Sequence, residues 1–282
     1  MIFFKRIYIM LTKGDLCSFS CSTVVLLLLS FTTPLMLSAA TTTSQSYPYR
    51  KYQHVKAFYE DTTPLAIEVG LKYKVPPAAL LAMAGLESGY ARGYVAQITG
   101  NILSLGAGKS DKELPRLLLP YSQTKQMILY DPKEIAKLSK NDLSYKLRSR
   151  SYKKDYRPSG IAGTKKALTY FTKHQKERLK AYRACFEDFA KRWVSKDSRF
   201  RAFREARAYL DREVKAHGDK ILFNMNTNEA FIGLIGGRKN SFNYRKSWPK
   251  KVIMIMKRVG LVPLTQDIYY NKKNFEDAWR IK

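Results

Sequence analysis

The sequence predicts a mainly α protein of the α+β kind, a helical bundle around a central helix with a small irregular or β lobe. Three observations predict it. The stretch LLAMAGLESGYARGYVAQITGNILSLGAG, residues 80–108, opens with a run that is small or apolar nearly all round, as a central buried helix must be. Residues 164–217 and 247–261 carry aromatic and aliphatic side chains at helical spacing. Strand signals are weak and confined to short pieces within residues 98–130.

In chain order, Lys5, Arg6 and Lys13 precede the apolar run TVVLLLLSFTTPLMLSAA, with the small residues Ser38 and Ala40 at its end. This is the pattern of a secretory signal peptide over residues 1–40, cleaved before Thr41. The competing reading is an uncleaved anchor, but Thr32, Thr33 and Pro34 interrupt the run, which is short for a span. No cysteine follows it where a lipoprotein would need one. Residues 41–60 are a linker and N-terminal extension. Thr63 as cap and Pro64 in the first turn then open a helix that ends at Val75–Pro76–Pro77. Pro77 starts the central helix, from Ala78 to about Glu87, and Gly89 stops it.

Residues 109–158 form a basic insertion broken by Pro115, Pro120, Pro132 and Pro158. It is partly helical, with a solvated surface as the plain reading and a substrate-facing rim as the sharper one. GTKKALTYFTKH, ERLKAYRACFEDFAKRWV and SRFRAFREARAYLDREVKAHG follow as helices, the last ending at Gly218. SWPKKVIMIMKRVGL closes the series, with Val252, Ile253, Ile255, Met256 and Val259 on its buried side and Gly260 as its stop. The main domain therefore spans residues 61–270, and 271–282 are a C-terminal tail.

The chain carries 51 Lys and Arg against 23 Asp and Glu, a net charge of +28. Without residues 1–40, which hold Lys5, Arg6, Lys13 and Asp15, it carries 48 against 22, or +26. Such a surface is drawn to polyanions. For an exported chain that polyanion is an anionic cell-envelope polymer, not nucleic acid. Cys17 and Cys21 lie in the leader, so Cys185 alone remains and no internal disulfide is possible. His54, His174 and His217 are too scattered for a zinc site. No cofactor and no dedicated protein partner are expected.

Glu87 is the one carboxylate in the apolar run. At the end of a buried helix it is partly desolvated and feels the negative end of the helix dipole, and both effects raise its pKa. A carboxyl kept protonated near neutral pH is what a general acid needs to protonate a glycosidic oxygen.

The segment VPPAALLAMAGLESGYARGYVAQITGNILSLGA resembles the catalytic-helix region of glycoside hydrolase family 73. These are bacterial cell-wall glucosaminidases of the lysozyme-like superfamily, related to the mannosyl-glycoprotein endo-β-N-acetylglucosaminidase-like domains. Glu87, Ser88, Gly89 and Tyr90 match the family's Glu-Ser-Gly-aromatic motif, and Asn101–Gly106 is a variant of its Asn-Leu-Phe-Gly motif. Asp188 and Phe189 resemble its Asp-Tyr pair. Trp248, Lys251, Val252 and Ile253 match its terminal motif, whose tyrosine falls on Phe242 or, as favoured here, Tyr244. The resemblance implies a lysozyme-like fold and hydrolysis of a β-1,4 bond next to N-acetylglucosamine in peptidoglycan glycan strands. Glu87 would be the general acid, and Tyr90, Asn101 and Tyr244 would bind substrate. It places the protein in the periplasm or cell envelope, membrane-anchored if the leader is retained.

The family also implies a second carboxylate on a β-hairpin after the asparagine motif. No hairpin pattern is recognisable here. Asp131, Glu134, Asp142 and Asp155 all lie in the basic insertion, and the second group stays unassigned. That departure keeps two rivals: a lytic transglycosylase of the same superfamily and a non-catalytic wall-binding protein.

Overall fold

The computed structural model describes residues 46–113, 118–129, 131–147, 153–158, 161 and 169–280. The expected signal peptide lies outside these residues. None of the described helices is long and apolar enough to cross a membrane.

The central helix is α2, Pro77–Ser88, with α1, Gln53–Tyr73, laid against it. Every residue of α2 from Pro77 to Gly85 is buried. Leu80, Leu81 and Met83 each contribute on the order of 1.5–3 kcal/mol through that burial. A buried helix start needs partners for its first N–H groups. Here Asn228 supplies one, accepting from the Ala79 N–H at 2.9 Å, while its own amide donates to Leu222 and Asn224 carbonyls. Asn228 sits in α8, Met225–Ile235. With α9, Trp248–Val259, and α10, Leu261–Tyr269, it completes the jacket around α2. Helix α6, Gln175–Asp188, packs on α1 and runs into a wide turn at Phe189–Trp193. The amphipathic α7, Arg201–His217, packs on α8.

Helix α1 begins ten residues before the expected cap. Thr63 and Pro64 lie inside it, because the surroundings satisfy what a proline removes. Pro64 and Glu60 are exposed, so water can take the Glu60 carbonyl that Pro64 has no N–H to reach. Thr62 and Thr63 bond back to the Phe58 and Tyr59 carbonyls at 2.7 and 2.6 Å. Residues 41–60 are therefore not all linker, since Val55, Phe58 and Tyr59 are core.

The expected tail is a packed element too. Helix α11, Phe275–Trp279, buries Trp279 against Tyr59, with ring centroids 6.1 Å apart. The guanidinium of Arg50 binds the carbonyls of Val259, Gly260, Ala278 and Trp279 and lies over the Tyr47 and Trp279 rings.

The basic insertion contains the β lobe. Strands β1, Leu118–Ser122, β2, Met127–Ile128, and β3, Leu143–Leu147, form an antiparallel sheet in the order β2-β1-β3. A hairpin is therefore present after all, joining β1 to β2 in the register Tyr121↔Ile128. Pro120 disguises it by standing in the central strand, where proline is rarely tolerated. Its carbonyl faces β2 and accepts from Leu129 at 2.9 Å, just past the end of that two-residue strand, where no N–H is required of it. The short α3, Tyr94–Thr99, carries Ile98 against Leu119 of the sheet. The turn α4, Pro132–Ile135, lies between β2 and β3, and α5, Tyr170–Lys173, precedes α6.

Candidate active site

Glu87 lies in the last turn of α2, half-buried, where the apolar helix meets solvent. The chain leaves the helix through three successive left-handed residues, Gly89, Tyr90 and Ala91, with φ of 57°, 58° and 58°. Only glycine adopts this region freely, so Tyr90 and Ala91 store on the order of 1–3 kcal/mol each. Ser88 stabilises the turn: its hydroxyl donates to the Ala84 carbonyl at 2.6 Å and accepts from the Ala91 N–H at 2.8 Å.

The hydrogen-bond partner of Glu87 is Trp248, the first residue of α9, whose indole Nε1 donates to Oε1 at 2.7 Å. The indole is buried between the Gly236 backbone and Phe242, whose ring centroid is 5.3 Å away. A Cβ on residue 236 would fall 2.1 Å from the indole, so only glycine fits there. Burial raises the Glu87 pKa above the usual carboxylate value. The Trp248 hydrogen bond and the charges of Lys153 and Arg245 oppose it without cancelling it. The carboxyl is thus biased toward its protonated form.

A cavity of about 350 Å³ opens beside Glu87, walled by Gly93, Tyr94, Asn101, Ser104 and Lys153. Lys153 donates to the Ser104 carbonyl. The next residue, Lys154, pairs with Asp188, the last residue of α6, and lies 3.4 Å from Asp111. Tyr156 donates to the same Asp188 at 2.9 Å. Asp111 also receives Arg192 at 2.8 Å. Burial pushes its pKa up, but Arg192, the Gly108 N–H and Lys154 outweigh that and hold it at about 2. This network fixes the segment that delivers Lys153 to the cavity.

The expected substrate residues separate. Asn101 reaches the cavity wall, but its side chain is engaged internally. Its amide donates to the Leu105 and Lys154 carbonyls, and its oxygen accepts from the Leu105 N–H at 2.8 Å. It shapes the loop, and its amide is not offered to a ligand. Tyr90 does not line this cavity. The left-handed turn swings its ring back onto α1, against His54, Phe58 and Tyr59. Tyr244 is 72% exposed and is absent from the cavity wall. Phe242, the other match, packs under Trp248 and has no hydroxyl.

None of Asp131, Glu134, Asp142 and Asp155 lies on the cavity wall with Glu87. Asp131 accepts from the Lys133 N–H and from Arg92, at 2.9 and 3.5 Å. Glu134 pairs with Lys125. Asp142 closes the hairpin turn through Ser122 and the Thr124 N–H, which hold its pKa down. Asp155 forms a buried pair with Arg157 at 2.8 Å. Among the described residues, Glu87 is the only carboxylate on the cavity wall, and no three acidic, histidine or cysteine side chains gather as a metal site. The sequence reading missed Lys153 and Tyr94, which no motif marks, and named Trp248 without its role.

No known family's sequence profile matches the chain, and no curated protein matches it. Among solved structures it is similar to the catalytic domain of the autolysin Auto from Listeria monocytogenes. The identity is 15% and the TM-score 0.41, over 75% of this chain and 87% of that one.

Proposed function

We propose that the protein is an exported glycoside hydrolase of the cell envelope, cleaving a β-1,4 bond next to N-acetylglucosamine in peptidoglycan. The observation that carries this is the pairing of Glu87 with Trp248 at the mouth of a cavity. It is a half-buried, oriented carboxyl with its pKa raised, which is the equipment of a general acid. Glu87 gives its proton to the glycosidic oxygen as the C1–O bond breaks. The acetamido oxygen of the same sugar closes onto C1, and water then opens that ring while Glu87 takes the water's proton back. In this route the acetamido oxygen takes the place of a protein nucleophile, in keeping with Glu87 as the only carboxylate on the cavity wall among the described residues.

The same lone carboxylate favours a second reading, a lytic transglycosylase. There a hydroxyl of the sugar itself captures C1 and leaves an anhydro end. Mass spectrometry of products from purified sacculi separates the two, with reducing ends for hydrolysis and anhydro ends for transglycosylation. Glu87→Gln should lower either activity by at least about 10²-fold. A folded variant that clears sacculi as fast as the wild type, or a wild type that binds sacculi and releases nothing, would overturn the proposal. The latter result would leave a wall-binding protein. Binding itself should weaken steeply with salt, because exposed charges are screened over about 8 Å at physiological ionic strength.

A further inference from the structure

Among the described residues, the wall of the cavity beside Glu87 holds one carboxyl group, biased toward its neutral form, and one ammonium, that of Lys153. The ammonium is a built feature. It is tied to the Ser104 carbonyl, the Lys153 backbone bridges to Gly106, and the neighbouring Lys154 is anchored to Asp188 and Asp111. A neutral sugar does not need a cation held in this way. A hydrogen bond from an ammonium to a carboxylate is roughly twice as strong as one between neutral groups, so this wall favours a carboxylate over an amide at the same place.

We propose that Lys153 is a specificity-determining residue that takes a free carboxylate carried by the glycan beside the bond Glu87 cleaves. The inference rests on the glycosidase reading above and narrows its substrate. In a peptidoglycan strand that carboxylate belongs to the lactyl group on alternate sugars. It is free only where the stem peptide has been removed, since a peptide-bearing strand presents an uncharged amide there. Peptide-free glycan is therefore the preferred substrate, with peptide-bearing sacculi cleaved about tenfold more slowly, and the reaction that supplies it is hydrolysis of the amide between lactyl group and peptide.

The test uses the whole protein and three glycans: peptide-bearing strands, peptide-free strands, and peptide-free strands whose lactyl carboxylates have been converted to simple amides. Assays run at physiological salt or above, so that attraction by the general surface charge is screened. The wild type should cleave peptide-free strands about tenfold faster than their amidated form, the size expected of one charge-assisted contact. Lys153→Met should reduce that ratio to near one and Lys153→Arg should preserve it. Lys215→Met, an exposed change on α7, should not alter it. A lysine that only holds the Ser104 loop would lower both rates and leave the ratio unchanged. Equal rates on carboxylate and amide strands would remove the inference and leave the glycosidase reading standing. Cleavage of none of the three would remove both.

Discussion

Trp248 and Glu87 lie 161 residues apart in the chain, and their side chains meet at 2.7 Å through a single hydrogen bond. That bond favours the ionised carboxylate, while burial, the larger effect, favours the acid. The proton affinity of Glu87 is set by this balance.

Replacing Trp248 with Phe keeps most of the burial and removes the donor. The Glu87 pKa should rise further, and the alkaline limb of the pH–activity profile should move to higher pH, since activity requires the acid form. Lost packing should cost about 1–3 kcal/mol of stability. A pH profile of sacculus clearing, with thermal melts alongside, checks both. A limb that moves to lower pH would contradict the assignment.

Glu87→Gln makes a separate prediction about stability. A carboxyl whose pKa is raised on folding stabilises the protein fully below the pKa it has when unfolded. That contribution is lost as pH rises through the folded pKa. The wild type therefore carries a penalty at neutral pH that glutamine does not. Melting temperatures should show the variant gaining on the wild type between about pH 4 and neutrality. A constant difference across that range would place Glu87 in an ordinary solvated environment.

Gly236→Ala should displace the indole, because the added Cβ would fall 2.1 Å from the Trp248 ring. Overpacking of this kind costs about 1–3 kcal/mol, and activity should fall with it. Gly233→Ala, one turn earlier in α8 with nothing within 4 Å, is the matched control. It should stabilise by about 0.4–1 kcal/mol and leave activity intact.

Trp279→Ala should destabilise by about 3–5 kcal/mol, although it lies three residues from the end of the chain. Chemical denaturation measures it. A change below about 0.5 kcal/mol would show that the closing contact with Tyr59 and Arg50 contributes little.

How far the sequence reveals this arrangement varies from element to element. The place of Glu87 at the end of a buried helix was legible because it is the one carboxylate in a small, apolar run that closes on a glycine. The helices α2, α7 and α9 were legible from periodicity and their glycine stops. The opening of α1 was not, because a Thr-Pro pair looks the same at a cap as at an exposed position inside a helix. The hairpin was hidden by Pro120 in a short central strand. Tyr90 was misdirected by local conformation. Three consecutive left-handed residues turn its ring toward α1, and no side-chain pattern announces that for Tyr and Ala. Lys153 was one of many lysines in a basic segment. Its own bond to the Ser104 carbonyl and the pairing of the neighbouring Lys154 with Asp188 single it out.

The contact between Trp248 and Glu87 also makes the protein its own indicator. Among the described residues, Trp248 alone of the three tryptophans donates to a carboxylate. When Glu87 gains or loses its proton, a full charge appears or vanishes at one end of that indole. Its ultraviolet emission should shift in colour as the acid titrates. The ionisation of Glu87 then becomes something to watch in a cuvette, without substrate, label or turnover.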